Sequence, residues 1–134
     1  MGQTPKRLLP VVLVVEDEPF VRMMGADVLE HAGFGVIEAC NADEALRVLE
    51  VRPDVRVVFT DVEMPGSLDG LALARRVHDC WPRIGVVVTS GRGHVGDESM
   101  SNDDPFVSKP YAPKALVLRI EEAMRRGRIE NEDR

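Results

Sequence analysis

Short runs of β-branched residues that end abruptly on polar side chains constrain this chain more than any other feature. Val11–Val15 is apolar throughout and stops at Glu16-Asp17-Glu18-Pro19. Val55–Thr60 stops at Asp61, and Ile84–Thr89 stops at Ser90. Val36-Ile37 and Phe106-Val107 are shorter runs, the second leading into Ser108-Lys109-Pro110. A brief run with no polar alternation reads as a strand buried on both faces. Such strands need cover above and below. That requirement points to a parallel sheet flanked by helices, an α/β fold.

The intervening segments supply the helices. Pro19 suits a first helical turn, where its missing N–H costs nothing. Val21, Met24, Val28 and Leu29 follow at helical spacing, and Gly33 stops the pattern. Asn41 and Glu44 form a capping box ahead of Ala42, Ala45, Leu46 and Leu49, with Pro53 beyond. Asp69 can cap a third helix whose apolar face is Leu73, Val77, Cys80 and Trp81, closed by Pro82. A last helix is expected from about Pro113 to Arg126, with Leu116, Ile120, Ala123 and Met124 facing inward. Residues 62–69 are rich in turn formers, and residues 91–104 are polar and glycine-rich. With 134 residues and no internal repeat, one domain over 10–126 is expected, between a polar leader (1–9) and a charged, fraying tail (127–134).

Composition narrows the function. Aromatic residues are 4% of the chain, so aliphatic side chains must build the core, with methionines at helical spacing as filler. A net charge of −6 disfavours direct nucleic-acid binding, which needs a cationic surface. Cys40 and Cys80 have no metal-ligand spacing and read as reduced, mostly buried thiols. His31, His78 and His94 stand apart and read as surface residues. No secretory signal is evident, and no run approaches the ~18–20 apolar residues of a membrane helix, so a cytoplasmic location is expected.

In an open parallel sheet, sites form beyond the carboxyl ends of strands. Those ends carry Glu16 and Asp17, then Asp61, then Ser90, then Lys109. Each type has a task in metal-assisted phosphoryl transfer. Carboxylates are ligands that Mg²⁺ prefers. An aspartate can act as nucleophile and carry the phosphoryl group. A lysine neutralises a phosphate oxygen, and a hydroxyl donates a hydrogen bond to another. Three clustered carboxylates repel one another, so the set makes sense chiefly around a divalent cation.

The segments VVLVVEDEP, VVFTDVEMPGSLDG, VVVTSG and FVSKPY resemble, in order and spacing, the signature segments of response-regulator receiver domains, across about residues 10–126. The resemblance implies a flavodoxin-like five-stranded parallel sheet of order 2-1-3-4-5 flanked by five helices. It implies that Asp61 is the phosphoacceptor, charged by a sensor histidine kinase or phosphotransferase. Glu16, Asp17 and Asp61, with the backbone carbonyl of Glu63, would hold Mg²⁺, with Mn²⁺ as a substitute. Lys109 would bind phosphate, Ser90 would be the hydroxyl switch and Phe106 the aromatic switch position. Glu63 and Arg92 would tune phosphate lifetime. Pro110 matches a proline that is usually cis in this family.

Ser90-Gly91 fits the family's hydroxyl–small pair, while the neighbouring Thr89 falls on an apolar strand position, so Ser90 is preferred. Glu16 stands where Asp is commoner, and the loop after Met64-Pro65 looks slightly long. The interval from Ser90 to Lys109 is short for the family, so a short or irregular fourth helix is expected. With only a short charged tail after the last helix, a single-domain regulator, a phosphate shuttle or sink in a relay, or an excised receiver is expected, monomeric or weakly dimeric. It would be no conventional enzyme, though it would catalyse its own phosphorylation and dephosphorylation. Two alternatives stand beside it. One is a pseudo-receiver that binds proteins without taking phosphate. The other is a flavodoxin-like cofactor binder, disfavoured because Glu-Asp-Glu after the first strand would repel a phosphate.

Overall fold

The computed structural model describes residues 9–66, 68–91 and 104–132, leaving aside the side chains of 128–132. In chain order the elements are β1 (Val11–Val15), α1 (Pro19–His31), β2 (Gly35–Ala39), α2 (Ala42–Val51), β3 (Val55–Asp61), α3 (Gly70–Cys80), β4 (Gly85–Ser90), β5 (Phe106–Ser108) and α4 (Pro113–Glu132). The strands form one parallel sheet of order β2-β1-β3-β4-β5. The alternating runs imply the parallel sheet, and the family resemblance implies its flavodoxin-like order, here with four helices among the described residues.

The three interior strands are the long valine runs. β1 and β4 are buried along their whole length, and β3 nearly so. Their alternate residues feed two cores, one on each face. Leu13, Val58 and Val86 pack with Ala45, Leu49, Leu73 and Val77, from α2 and α3. Val12, Val14, Val57, Phe59 and Val87 pack with Leu29, Leu116 and Ile120, from α1 and α4. Full burial of one such Val or Leu side chain is worth roughly 1.5–3 kcal/mol, so these runs dominate the stabilisation. Both expected caps form: the Glu44 N–H donates to Asn41 Oδ1 at 2.8 Å, and the Ala72 N–H to Asp69 Oδ1 at 2.9 Å. The reciprocal arm of the Asn41 box reaches one residue further back, where Glu44 Oε1 accepts the Cys40 N–H at 2.7 Å.

Several expectations are corrected. α4 does not stop at Arg126 but runs through Gly127 to Glu132. Gly127 is a contact residue and not a helix stop: a Cβ there would strike the Arg83 backbone carbonyl, and one on Gly85 would strike that of Ala123. The two glycines let α4 lie close against the start of β4. In α1 the buried residues are Gly25, Ala26 and Leu29. Met24 and Met23 are therefore exposed, as is Phe20 at 74%. They are not core filler. Both cysteines are free and exposed. Cys40 lies in the turn ahead of α2, and Cys80 is the last residue of α3, past the point where Val77 faces inward. Trp81 carries on the packing that Cys80 was expected to share. His31 is exposed as expected. His78 is only half-exposed, and its Nε2 lies 2.9 Å from Oδ1 of the nearly buried Asp104. Leader residues 1–8, the stretch 92–103 with Arg92, His94 and the expected short or irregular fourth helix, and the last two tail residues lie outside the described residues.

Candidate phosphoacceptor site

Strand geometry assembles the site. β3 ends on Asp61, which is aligned with Thr89 on β4. Residue 62 continues the ladder, its N–H reaching the Thr89 carbonyl at 2.8 Å. On the other side β1 ends at Val15, and the Glu16 N–H donates to the Ala39 carbonyl at 3.0 Å, which holds the acidic pair at the same edge. The Lys109 N–H bonds the Ser90 carbonyl at 3.1 Å, extending the β4–β5 pairing to the lysine. The next peptide bond, Lys109–Pro110, is cis. Gly70 lets α3 begin against the Asp61 backbone carbonyl, where a Cβ would collide.

These constraints bring most of the expected residues together. Lys109 Nζ lies 2.8 Å from Asp61 Oδ2 and 2.8 Å from Glu16 Oε1. Glu16 and Asp61 are each 4% exposed, whereas Asp17 is open to solvent. One carboxylate oxygen from each of Glu16, Asp17 and Asp61 falls within 4.8 Å of the others. The Glu63 N–H donates to Asp61 Oδ1 at 3.3 Å. The fully buried Ser90 hydroxyl donates to the Glu63 carboxylate, 2.8 Å from Oε2 and 3.0 Å from Oε1. Thr89 is also buried, but its Oγ1 has no hydrogen-bond partner among the described residues. Among the described residues it is Ser90, not Thr89, that engages a side chain of the site. Phe106 opens β5, half-buried and aligned with Val88.

The electrostatics follow from burial. The Glu16 carboxyl is pushed up from its ordinary value chiefly by burial and further by the Asp61 charge, against the hydrogen bonds from Lys109 and the Glu18 N–H. Burial pulls the Lys109 ammonium down, but its bonds to Asp61 and Glu16 outweigh that and leave it raised. Among the described residues, the Lys109 ammonium bonds two of the three clustered carboxylates, Glu16 and Asp61. Sequence reading did not single out Arg22. Its Nη1 donates to the Glu16 carbonyl at 2.8 Å and its Nε to Glu38 Oε1 at 3.0 Å, tying the acidic turn to β2. No local pattern marks it, because its side-chain partner Glu38 is sixteen residues away on β2. The Ser90–Glu63 contact was also missed, although both residues were named.

The fold and this edge define a receiver domain: the chain belongs to the response regulator receiver domain family, which matches residues 12–121. It is 32% identical over 128 residues to the transcriptional regulatory protein AruR of Pseudomonas aeruginosa (90% of this chain, 52% of AruR). It is 36% identical over 120 residues to the phosphate regulon transcriptional regulatory protein PhoB of Escherichia coli (86% of this chain, 52% of PhoB). Identity to the sensor kinase CckA of Brucella abortus is 33% over 120 residues (84% of this chain, 12% of CckA). The chain thus spans about half the length of the two regulators and a small part of the kinase. Among solved structures, the receiver domain of NtrX from Brucella abortus superposes with a TM-score of 0.76 at 32% identity, covering 85% of this chain and 98% of that one. A receiver domain protein from Clostridium thermocellum gives 0.78 at 26% identity, covering 90% and 98%.

Proposed function

We propose that this receiver domain takes a phosphoryl group onto Asp61 from a phosphohistidine of a sensor kinase or phosphotransferase, and changes its surface in response. The carrying observation is Asp61 at the end of β3, nearly buried, with the Lys109 ammonium at 2.8 Å and two further carboxylates beside it. In the transfer an Asp61 oxygen forms a bond to phosphorus while the phosphorus–nitrogen bond of the donor breaks, its electron pair leaving with the imidazole. Lys109 holds Asp61 in place beforehand and afterwards balances charge on a phosphoryl oxygen. Ser90 donates its hydroxyl to another oxygen, and Phe106 is the aromatic that follows that movement. Glu63 and Arg92 tune the lifetime of the acyl phosphate.

The donor set suits a hard divalent cation. Three carboxylate oxygens converge, with the Lys109 ammonium bonded to two of those carboxylates, and such mutual repulsion favours a cation among them. Glu16, Asp17, Asp61 and the backbone carbonyl of Glu63 would hold Mg²⁺ or Mn²⁺. When bound, the ion supplies neutralisation of the negative charge on the incoming phosphoryl oxygens.

Phe20, Met23 and Met24 are exposed on α1, which begins just past the acidic pair. They offer apolar contact to a docking phosphodonor, and a patch of this kind is a usual mark of a protein interface. No helix among the described residues is long and apolar enough to cross a membrane. We take the working location to be the cytoplasm, with the histidine kinases. The pseudo-receiver reading finds no support in a chain whose Glu16, Asp17, Asp61, Ser90 and Lys109 are all present. The test is labelling with a small phosphodonor such as acetyl phosphate. Mg²⁺-dependent labelling is expected and should vanish in Asp61→Asn, whose amide is no nucleophile here. Labelling that persists in the variant would remove Asp61 from the role.

A further inference from the structure

We propose that Glu63 is a positioning residue for Ser90: in the resting domain its carboxylate holds the hydroxyl's proton, which must be released before Ser90 can serve an anion on Asp61. The inference rests on reading Asp61 as the phosphoacceptor and adds to it an internal competitor. A serine hydroxyl has one proton to give. Here it goes to Glu63, with both carboxylate oxygens within 3.0 Å of Ser90 Oγ. Ser90 is fully buried, where a bond to an ionised acceptor is stronger than a neutral one.

Glu63 is also tied to Asp61. Its backbone N–H donates to Asp61 Oδ1 at 3.3 Å while its side chain holds Ser90, so one residue bridges the acceptor and the hydroxyl. Negative charge added at Asp61 repels the Glu63 carboxylate and competes for the Ser90 proton, and both effects open the latch. Space for the released side chain exists. Glu63 borders an open cleft of about 510 Å³ formed with Val62, Met64, Pro65 and Asp69. Met64, the next residue, is buried, so the backbone can stay anchored while the Glu63 side chain swings.

The consequence is a threshold. Among the described residues, switching is opposed by the charge-assisted Ser90–Glu63 hydrogen bond, and weakening that bond favours the switched state. The deciding experiment measures affinity for beryllofluoride with Mg²⁺ in the wild type, Glu63→Gln, Ser90→Ala and the double variant. Glu63→Gln keeps the shape and a neutral acceptor, and should tighten binding about tenfold. In the Ser90→Ala background the same change should have little effect. Equal tightening in both backgrounds would mean that Glu63 acts by charge repulsion alone, and no tightening would mean that no latch exists. Either result overturns the proposal. A second measurement needs no phosphate mimic. The Hα–Hβ couplings of Ser90 should report one side-chain rotamer in the free wild type and averaging in Glu63→Ala. Averaging already present in the wild type overturns the latch. Failure of the wild type to bind beryllofluoride at all would instead overturn the phosphoacceptor reading.

Discussion

The two edges of the sheet are built on opposite principles. At the carboxyl edge β1 leads into Glu16 while β3 and β4 end on Asp61 and Ser90, and these side chains are buried, with Lys109 bonded to both Glu16 and Asp61. At the amino edge, backbone meets backbone. Gly85 and Gly127 bring α4 onto the start of β4, and the Gly35 N–H donates to the Pro10 carbonyl at 2.8 Å. The first edge buries charge that works against folding, and the second removes side chains to gain contact. Stability and function are therefore expected to be separable by mutation, end against end.

The largest test of that division is Gly85→Ala. The added methyl would meet the Ala123 backbone carbonyl, which cannot move without shifting α4. Overpacking of this kind costs about 2–3 kcal/mol. Thermal unfolding should show a midpoint lowered by roughly 10 °C, while the folded variant still accepts phosphoryl label. Asp61→Asn should do the reverse, losing all label with the midpoint little changed, because Lys109 keeps Glu16 as its partner. If Gly85→Ala abolished labelling of protein that is still folded, the two edges would be coupled and the division wrong.

The contrast also explains what the sequence made legible. Strand ends are visible because apolar runs break sharply at polar residues, so Glu16, Asp17, Asp61, Ser90 and Lys109 could be placed at one edge before any coordinates. Asn41 and Asp69 were readable as caps because a cap is a local bond, three residues in reach. The amino edge was less legible. The last helix was expected to end at about Arg126, since what a glycine at 127 serves, close approach to the Arg83 carbonyl, is distant along the chain. Met24 fitted an apolar period, yet the face that turns inward is set by which residues are small enough to approach the sheet, and those are Gly25 and Ala26. Cys40 and Cys80 were expected to be buried from residue type alone, and their neighbours place them outside. The Arg22–Glu38 and Glu63–Ser90 bonds join partners remote along the chain, which no spacing rule reaches.

A smaller effect sharpens the same comparison. If the carboxyl edge is short of positive charge, a divalent cation should stabilise the domain by binding the native cluster alone. At a free Mg²⁺ concentration tenfold above its dissociation constant, the gain is about 1.4 kcal/mol, or roughly 5 °C in the midpoint. Chelation should reverse it, and Asp17→Ala should remove most of it, Asp17 being the exposed member of the cluster. A midpoint indifferent to millimolar Mg²⁺ would show that Lys109 already neutralises the cluster.

The smallest expected effect separates two glutamates near that edge. Glu16 and Glu44 each accept a backbone N–H, from Glu18 and from Cys40. Their carboxyls nonetheless move in opposite directions. Burial dominates at Glu16 and raises it. At Glu44, which keeps its water, the hydrogen bond from the Cys40 N–H dominates and lowers it. A carboxyl lower in the folded state than in the unfolded chain adds stability that is fully present above its unfolded value. That stability is lost as pH falls through the folded value. Glu44 should therefore support the α2 cap at neutral pH and cease to do so as pH drops from about 5 to 3. Glu44→Gln keeps an acceptor for the Cys40 N–H and removes only the charge. The wild type should exceed the variant by less than about 1 kcal/mol at pH 7, because solvent screens the group. That gap should close on acidification and shrink in high salt. A gap that stays constant from pH 7 to pH 3 would mean that the Glu44 charge contributes nothing, and that shape alone makes the cap.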